Sequence, residues 1–400
     1  MKDKKFGGEL LQKILFAVAL AMLAVVVVCS VLIVMENRET PVETAPGVII
    51  ISDETPKPVI TAYPKPTRTA SPCKHSWENG VCTRCAERCS HTRHDAESLI
   101  CADCGETVVH NYVGGQCTRC GNSPALLDDI VEAGMAAGAT HCGKIEKLPY
   151  TYENEFGVAV HKTMSVYTPY GYDPQKQYPV VLLIHGLSGR LETWMEHPHF
   201  IDSVRLRGID VVDRLIEEHR SPPVLIVSID TPGLSDSNSY DLQVSRVSKE
   251  IRFGVLPTLC SQYSTFAKEN TPAGIAAARE HFAIVGASDG ALYTVESGLR
   301  DNRDLFGVYA PLSGLDIGED ILAMQSSEWA MQYPIHLLYM GTGQKDFNHT
   351  KVLQAYIHML LADPRLIDGQ NAFHHVCDGG HTFRSWYTDL ANVLQLAFPE

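Results

Sequence analysis

A chain of 400 residues, 45% of them apolar, is long enough to bury a large core and to hold two or three structural units. Its formal charge of −14 at pH 7 argues against nucleic-acid binding, which requires a basic stripe. Eight of its twelve cysteines fall between Cys73 and Cys120, which sets that stretch apart from the rest.

The first thirteen residues carry Lys2, Lys4, Lys5 and Lys13, and residues 14–35 then run 22 positions without a charge, ending at Glu36. As a helix this run is about 33 Å long, enough to cross a bilayer core. A cleaved signal peptide would have a shorter apolar run and a small-residue cleavage site, which Leu-Ile-Val-Met-Glu-Asn-Arg does not offer. The reading is an uncleaved, single-pass signal anchor. The lysines before it place residues 1–13 in the cytoplasm and everything after it outside the cell. Residues 36–72 are rich in proline and threonine, as in Thr-Pro-Lys-Pro and Tyr-Pro-Lys-Pro. Such a segment is a semi-rigid extracellular stalk.

Residues 73–121 form a repeating cysteine–histidine module. His75-Ser-Trp-Glu-Asn-Gly-Val-Cys82-Thr-Arg-Cys85 aligns without gaps on His110-Asn-Tyr-Val-Gly-Gly-Gln-Cys117-Thr-Arg-Cys120. The unit is Cys-x-His, a short loop, then Cys-x-x-Cys. The first set is Cys73, His75, Cys82 and Cys85, and the second is Cys89, His91, Cys101 and Cys104. The third has His110, Cys117 and Cys120, with Val108 where its first cysteine would stand. Four such donors suit a tetrahedral zinc ion with no open position, so the metal would be structural and would itself hold so small a module together. The alternative is a disulfide framework, natural outside the cell. A histidine in register with every Cys-x-x-Cys favours zinc, because disulfides have no use for it. The segment resembles tandem zinc-ribbon-like repeats of surface proteins, which implies spacing or the binding of a cell-surface or cell-wall partner.

After a linker over 122–142, with a helix expected near Leu126 to Ala137, strand-like and helix-like stretches alternate. Strands are expected at Val158–Tyr167, Tyr178–Gly186, Pro223–Asp230, Phe282–Val285, Phe306–Ser313, Ile335–Gly341 and Ala372–Cys377, with a helix over Val211–His219. Continuous apolar strands separated by helices predict a mostly parallel sheet covered on both faces, an α/β fold over 143–400 with ligands at the carboxyl ends of its strands.

Phe282 to Val285 runs into Gly286-Ala287-Ser288-Asp289-Gly290, the G-x-S-x-G pattern in the strand–turn–helix context of a nucleophile elbow. Two later strand ends supply polar groups on glycine loops, Gly341-Thr-Gly-Gln-Lys-Asp346 and Asp378-Gly-Gly-His381. The order Ser288, Asp346, His381 is that of an α/β-hydrolase triad, with the serine as nucleophile, the histidine as base and the aspartate orienting it. His374 and His375 are alternative bases placed within a strand, and Asp378 is a rival acid. Asp378 is so near His381 in sequence that the two would share one loop. The oxyanion hole needs two backbone N–H groups at one spot. They are expected from Asp289 and from Leu187 in His185-Gly-Leu-Ser-Gly189, where His185 braces the loop. Cys142, Cys260 and Cys377 form an odd trio that cannot all pair within this domain.

Ser165-Val-Tyr-Thr-Pro-Tyr-Gly-Tyr172 followed by Tyr178-Pro-Val-Val-Leu-Leu-Ile-His-Gly186 resembles the opening of the putative-esterase family. So do Glu250-Ile-Arg-Phe-Gly-Val-Leu-Pro257, the elbow, Phe306-Gly-Val-Tyr-Ala-Pro-Leu-Ser-Gly314 and Gly379-Gly-His-Thr-Phe-Arg-Ser-Trp386. That family holds feruloyl and acetyl xylan esterases, carbohydrate esterase family one, with esterase D-like relatives. The resemblance spans about residues 143–400 and implies a serine carboxylic ester hydrolase of the α/β-hydrolase fold. Its nucleophile, acid and base fall on Ser288, Asp346 and His381, catalysis needs no cofactor, and the implied substrates are feruloyl or acetyl esters of cell-wall polysaccharide. The sequence departs from the family pattern in having Ala291 rather than a second glycine after the elbow, and Asp289 directly after the serine. Acyl transfer to an envelope sugar or lipid, or an inactive surface-binding domain, are the other functions such a chain could have.

Overall fold

The computed structural model describes residues 126–234, 239–314 and 317–398, with the backbone of four two-residue strands ahead of them. The chain divides into two units, Met1–Ala70 and Ser71–Glu400, and every described residue belongs to the second. The expected anchor, the stalk and most of the Cys/His ligands therefore lie outside the described residues. Among the described residues no helix is long and apolar enough to cross a membrane. Nor does any group of three or more His, Cys, Asp or Glu there stand where it could hold a metal ion.

The four short strands are Trp77–Glu78 (β1), Val81–Cys82 (β2), Tyr112–Val113 (β3) and Gln116–Cys117 (β4). They make two antiparallel hairpins in one register, Trp77 opposite Cys82 and Tyr112 opposite Cys117. The positions match the gap-free alignment of the two sequence copies, and Asn79-Gly80 and Gly114-Gly115 stand between the strands, the dipeptides that two-residue hairpins favour.

The remaining strands are Lys144–Glu153 (β5), Ala159–Thr168 (β6), Val180–Ile184 (β7), His199–Ile201 (β8), Val204–Leu206 (β9), Leu225–Ile229 (β10), Phe282–Ala287 (β11), Val308–Leu312 (β12), Leu337–Gly343 (β13) and Ala372–Cys377 (β14). One sheet runs in the order β4-β3-β14-β13-β12-β11-β7-β10-β6-β5. From β14 to β10 every neighbour is parallel, whereas β6 and β5 join antiparallel at one edge. At the other edge β3 pairs with β14 through His375 and Tyr112. This is an α/β-hydrolase fold, and the expected early strand is indeed near one side of its sheet.

Every residue of β7, β10, β11, β12 and β13 is buried. Because side chains alternate across a strand, an unbroken apolar run must be covered twice. Val180, Leu182 and Ile184 belong to one core cluster, and Val181 and Leu183 to the other. Each fully buried Val, Leu or Ile contributes about 1.5–3 kcal/mol before chain entropy is counted.

The helices in chain order are Gly208–Glu217 (α1), Tyr240–Glu250 (α2), Leu256–Gln262 (α3), Pro272–Ala276 (α4), Asp289–Tyr293 (α5), Glu319–Met324 (α6), Glu328–Gln332 (α7), His349–Ala362 (α8) and Phe383–Ala397 (α9). π-helical turns, Ile251–Val255 and Thr294–Arg300, continue α2 and α5. Helices α1 and α9 cover one face of the sheet through Val212, Leu215, Leu390 and Leu394. Helices α2, α3 and α8 cover the other through Val247, Leu259, Val352 and Met359.

The helix expected near Leu126 to Ala137 does not form. Asp129 Oδ1 accepts the N–H groups of Val131 and Glu132 at 2.8 and 2.9 Å, and Gly134 sits at φ +75°, so the backbone turns and ends in a short 3-10 segment, Met135–Ala137. Leu126, Ile130 and Met135 still enter the core beside α9. Among the described residues the free cysteines are Cys142, exposed, Cys260, half-buried, and Cys377, buried.

Candidate active site

The sheet changes direction of build between β7 and β11: the chain adds β10 on one side of β7 and then β11, β12, β13 and β14 on the other. Loops leaving the carboxyl ends of β7 and β11 part at this point, and the crevice between them is where such sheets take ligands. Ser288 stands at the end of β11 and the His185–Gly189 loop at the end of β7.

Ser288 has φ 57° and ψ −120°, a conformation that costs a non-glycine residue about 1–3 kcal/mol. It is held there by its N–H, which donates to the Leu312 carbonyl at 3.0 Å, and by the first turn of α5. The flanking glycines are required by contact. A side chain on Gly286 would run into the Gly290 carbonyl, and one on Gly290 into the carbonyls of Ile184 and His185.

His381 and Asp346, the expected base and acid, arrive from the ends of β14 and β13. His381 Nε2 is 2.9 Å from Ser288 Oγ, and His381 Nδ1 is 3.0 and 3.1 Å from the two carboxylate oxygens of Asp346. With Nδ1–H donating to the carboxylate, Nε2 is left as the acceptor for the serine hydroxyl. Asp346 has a fully buried side chain, and His381 keeps 18% of its side chain open. Burial alone would raise the Asp346 pKa, but hydrogen bonds from His381, the Asn348 N–H and Ser313 outweigh it and hold the carboxyl below its ordinary value. Asn348 donates through Nδ2 to the Ser313 carbonyl at 3.0 Å, and Trp386 Nε1 donates to Ser313 Oγ at 3.0 Å. Ser313 is itself at φ 50°. Ser313, Asn348 and Trp386 thus form a bracket under the acid that no sequence pattern disclosed, because their contacts cross from β12 to α9.

The expected oxyanion donors, the N–H groups of Leu187 and Asp289, belong to the β7 loop and to α5. His185 is buried, and its Nδ1 donates to the Gly186 carbonyl at 2.8 Å while its Nε2 accepts the Thr231 N–H at 3.1 Å. Gly189 N–H donates to the same carbonyl. Across a trans peptide the next N–H points the opposite way, so turning the Gly186 carbonyl toward His185 turns the Leu187 N–H away from it. Gly186 packs directly on Ser288: a Cβ there would lie 3.2 Å from Ser288 Cβ. Asp289 follows the serine as the first residue of α5, and its buried Oδ2 accepts the Leu234 N–H at 2.9 Å. Its carboxylate ties the 231–234 loop to the elbow.

The rival residues lie elsewhere. Asp378 is half-exposed and faces Lys345 and Arg384 at 3.9 and 3.8 Å. His374 is fully buried in β14 without a hydrogen-bond partner for either nitrogen, and burial pushes its pKa down to about 3. His375 lies between two carboxylates, with Nδ1 3.3 Å from Asp389 and Nε2 3.3 Å from Asp128.

Comparison with known proteins adds independent findings. A family model described as "Putative esterase" matches residues 160–396. The endo-1,4-beta-xylanase Y of Acetivibrio thermocellus is 35% identical over 172 residues, which are 43% of this chain and 14% of that relative's length. Among solved structures, a mutant of the feruloyl esterase module from Clostridium thermocellum, complexed with sinapinate, superposes with a TM-score of 0.55 at 24% identity. It covers 66% of this chain and 92% of that one, and shows the fold. A structure of a protein given as FAE superposes with a TM-score of 0.52 at 25% identity, over 66% of this chain and 89% of the other.

Proposed function

Because this chain belongs to the putative esterase family and is a serine carboxylic ester hydrolase, we propose that its chemistry is carried by Ser288, His381 and Asp346, with acyl esters of polysaccharides as substrates. The observation that carries the reading is the unbroken run from Ser288 Oγ through His381 to the Asp346 carboxylate, with no step longer than 3.1 Å. His381 Nε2 takes the hydroxyl proton as Ser288 Oγ attacks the ester carbonyl carbon. Negative charge on the former carbonyl oxygen is met by the N–H groups of Leu187 and Asp289. Asp346 orients the imidazole and stabilises it while it is charged. The alcohol departs with the proton from His381, and a water activated by the same histidine releases the acid. Catalysis needs no cofactor.

Feruloyl and acetyl groups on a plant cell-wall polysaccharide are the leading acyl groups. The likeness to a xylanase and to feruloyl esterase structures supports that choice. The test is the purified chain with aryl acetate and methyl ferulate. No turnover, or turnover untouched by Ser288→Ala, would overturn it.

The enzyme works outside the cell, held by the helix at 14–35 and the stalk at 36–72, with the cytoplasmic N-terminus at 1–13. Protease treatment of intact cells should remove its activity; activity that survives until the cells are lysed would reject this placement. The module at 73–121 holds structural zinc through the ligands named above. Recovery of zinc with a fragment spanning 70–122, and of free thiols once it is chelated, would support this; intact disulfides without zinc would replace it.

A further inference from the structure

The loop after β10, residues 231–234, is tied residue by residue to the two elements that carry the expected oxyanion donors. Thr231 donates its N–H to His185 Nε2 at 3.1 Å. The Pro232 carbonyl accepts the Tyr293 hydroxyl at 2.9 Å. Gly233 lies so close to Leu187 that a Cβ there would stand 2.5 Å from Leu187 Cδ1. Leu234 donates its N–H to Asp289 Oδ2 at 2.9 Å, and its own side chain is buried in the core. His185 and Leu187 belong to the β7 loop, Asp289 and Tyr293 to α5. The anchors therefore alternate along the chain: loop, helix, loop, helix.

An oxyanion hole works only when its two N–H groups converge on one spot. Here they come from segments about a hundred residues apart in sequence, which lead away from neighbouring strands of the sheet. A span stitched alternately to both holds them at one separation. We infer that residues 231–234 are a strut that sets the distance between the two donors, and that the Asp289 carboxylate is the positioning group that fastens it to α5. The inference deepens the reading of Leu187 and Asp289 given above and rests on it.

Charge and tether predict opposite signs at Asp289. Its carboxylate puts a negative charge on the residue whose N–H faces developing negative charge, and like charges repel. If charge were all that mattered, removing it would speed the reaction. If the tether matters, alanine leaves the buried Leu234 N–H without its acceptor and slows the reaction. Asparagine separates the two, because its amide oxygen can still accept that N–H while the charge is gone.

The full chain is assayed on methyl ferulate, and two ligands report on its donors. A trifluoromethyl ketone analogue of ferulate forms a bond from its carbonyl carbon to Ser288 Oγ, passes the serine proton to His381 and keeps an oxyanion, with no group departing. Ferulamide reports ground-state binding. Asp289→Ala should lower kcat about 10–10²-fold and weaken the ketone by a similar factor, with ferulamide affinity held within about twofold. Asp289→Asn should stay within about threefold of the parent in all three. Tyr293→Phe, which removes a second helix-side anchor at nearly constant volume, should lower kcat several-fold with the same bias against the ketone. The strut is overturned if Asp289→Ala matches or exceeds the parent in kcat, if ketone and ferulamide weaken equally, or if asparagine loses as much as alanine. Should Asp289→Ala not fold, an unchanged kcat in Tyr293→Phe overturns it. Turnover that survives Ser288→Ala strikes the catalytic reading and the strut with it; where that variant is inactive, the outcomes above strike the strut alone.

Discussion

Two histidine–carboxylate pairs stand near one another at the end of this sheet, and their chemistry diverges because of what faces the second nitrogen. His381 Nδ1 meets the Asp346 carboxylate, and its Nε2 meets a hydroxyl. His375 Nδ1 meets the Asp389 carboxylate, but its Nε2 meets another carboxylate, that of Asp128. The first ring is partly open and has somewhere to send a proton. The second has no exposed surface and carboxylates on both sides, so its charged form is favoured and it holds structure together. Burial would lower the His375 pKa, yet the hydrogen bonds to Asp128 and Asp389 outweigh it and raise it above the ordinary value. A histidine beside an aspartate is therefore no mark of a base until its far nitrogen has been followed.

The comparison can be broken most sharply at His381, the proposed base. Substituting His381 by alanine should lower kcat by roughly 10³-fold or more in hydrolysis of methyl ferulate, with the unfolding midpoint little changed. Asp346→Asn should lower kcat by about 10²–10⁴-fold, because the amide can favour the wrong imidazole tautomer. A loss of only a few-fold would mean that another group orients the base. His375→Ala should instead cost about 3–5 kcal/mol in urea unfolding, since the buried Asp389 carboxylate loses its counterion, while kcat per folded molecule changes by a few-fold at most. If His375→Ala removed activity at full stability, the division of labour drawn here would be wrong.

The pair can also be separated by pH. The folded-state pKa of His375 is raised above its unfolded value, so its stabilisation is complete below about pH 6.5 and disappears as pH climbs through the folded value. The stability gap between the native protein and His375→Gln should be widest on the acid side of that window and narrow on the alkaline side, measured by urea titration at several pH values. The smallest effect expected is that of Asn348→Ala. Loss of its bond to the Ser313 carbonyl should cost about 1 kcal/mol and lower kcat by a few-fold through a looser Asp346.

What the sequence disclosed was whatever depends on neighbours in the chain. The apolar runs at Val180–Ile184 and Phe282–Ala287 read directly as buried strands, and the two glycines around Ser288 mark a turn too tight for side chains. The order of Ser288, Asp346 and His381 past the ends of β11, β13 and β14 was legible for the same reason. Hidden were the features that depend on partners far away. The apolar spacing of residues 126–137 suits a helix, but a side-chain cap at Asp129 and hydrogen bonds to α9 claim its backbone. The bracket of Ser313, Asn348 and Trp386 joins three elements and leaves no local pattern. The β8–β9 hairpin has strands of three residues each, too short for alternation to register.

The segment at 126–131 has a consequence for how the molecule comes into being. Leu127 and Ile130 donate their N–H groups to Asn392 and Thr388, across 265 and 258 residues of sequence, and Asp128 reaches His375. Contacts of such separation carry the full loop-closure cost and form late. During synthesis these early residues must wait, unpaired, until α9 has been made. The turn that holds His381 is made just before that helix, so closure of the core and the placement of His381 beside Ser288 fall at the end of the same event.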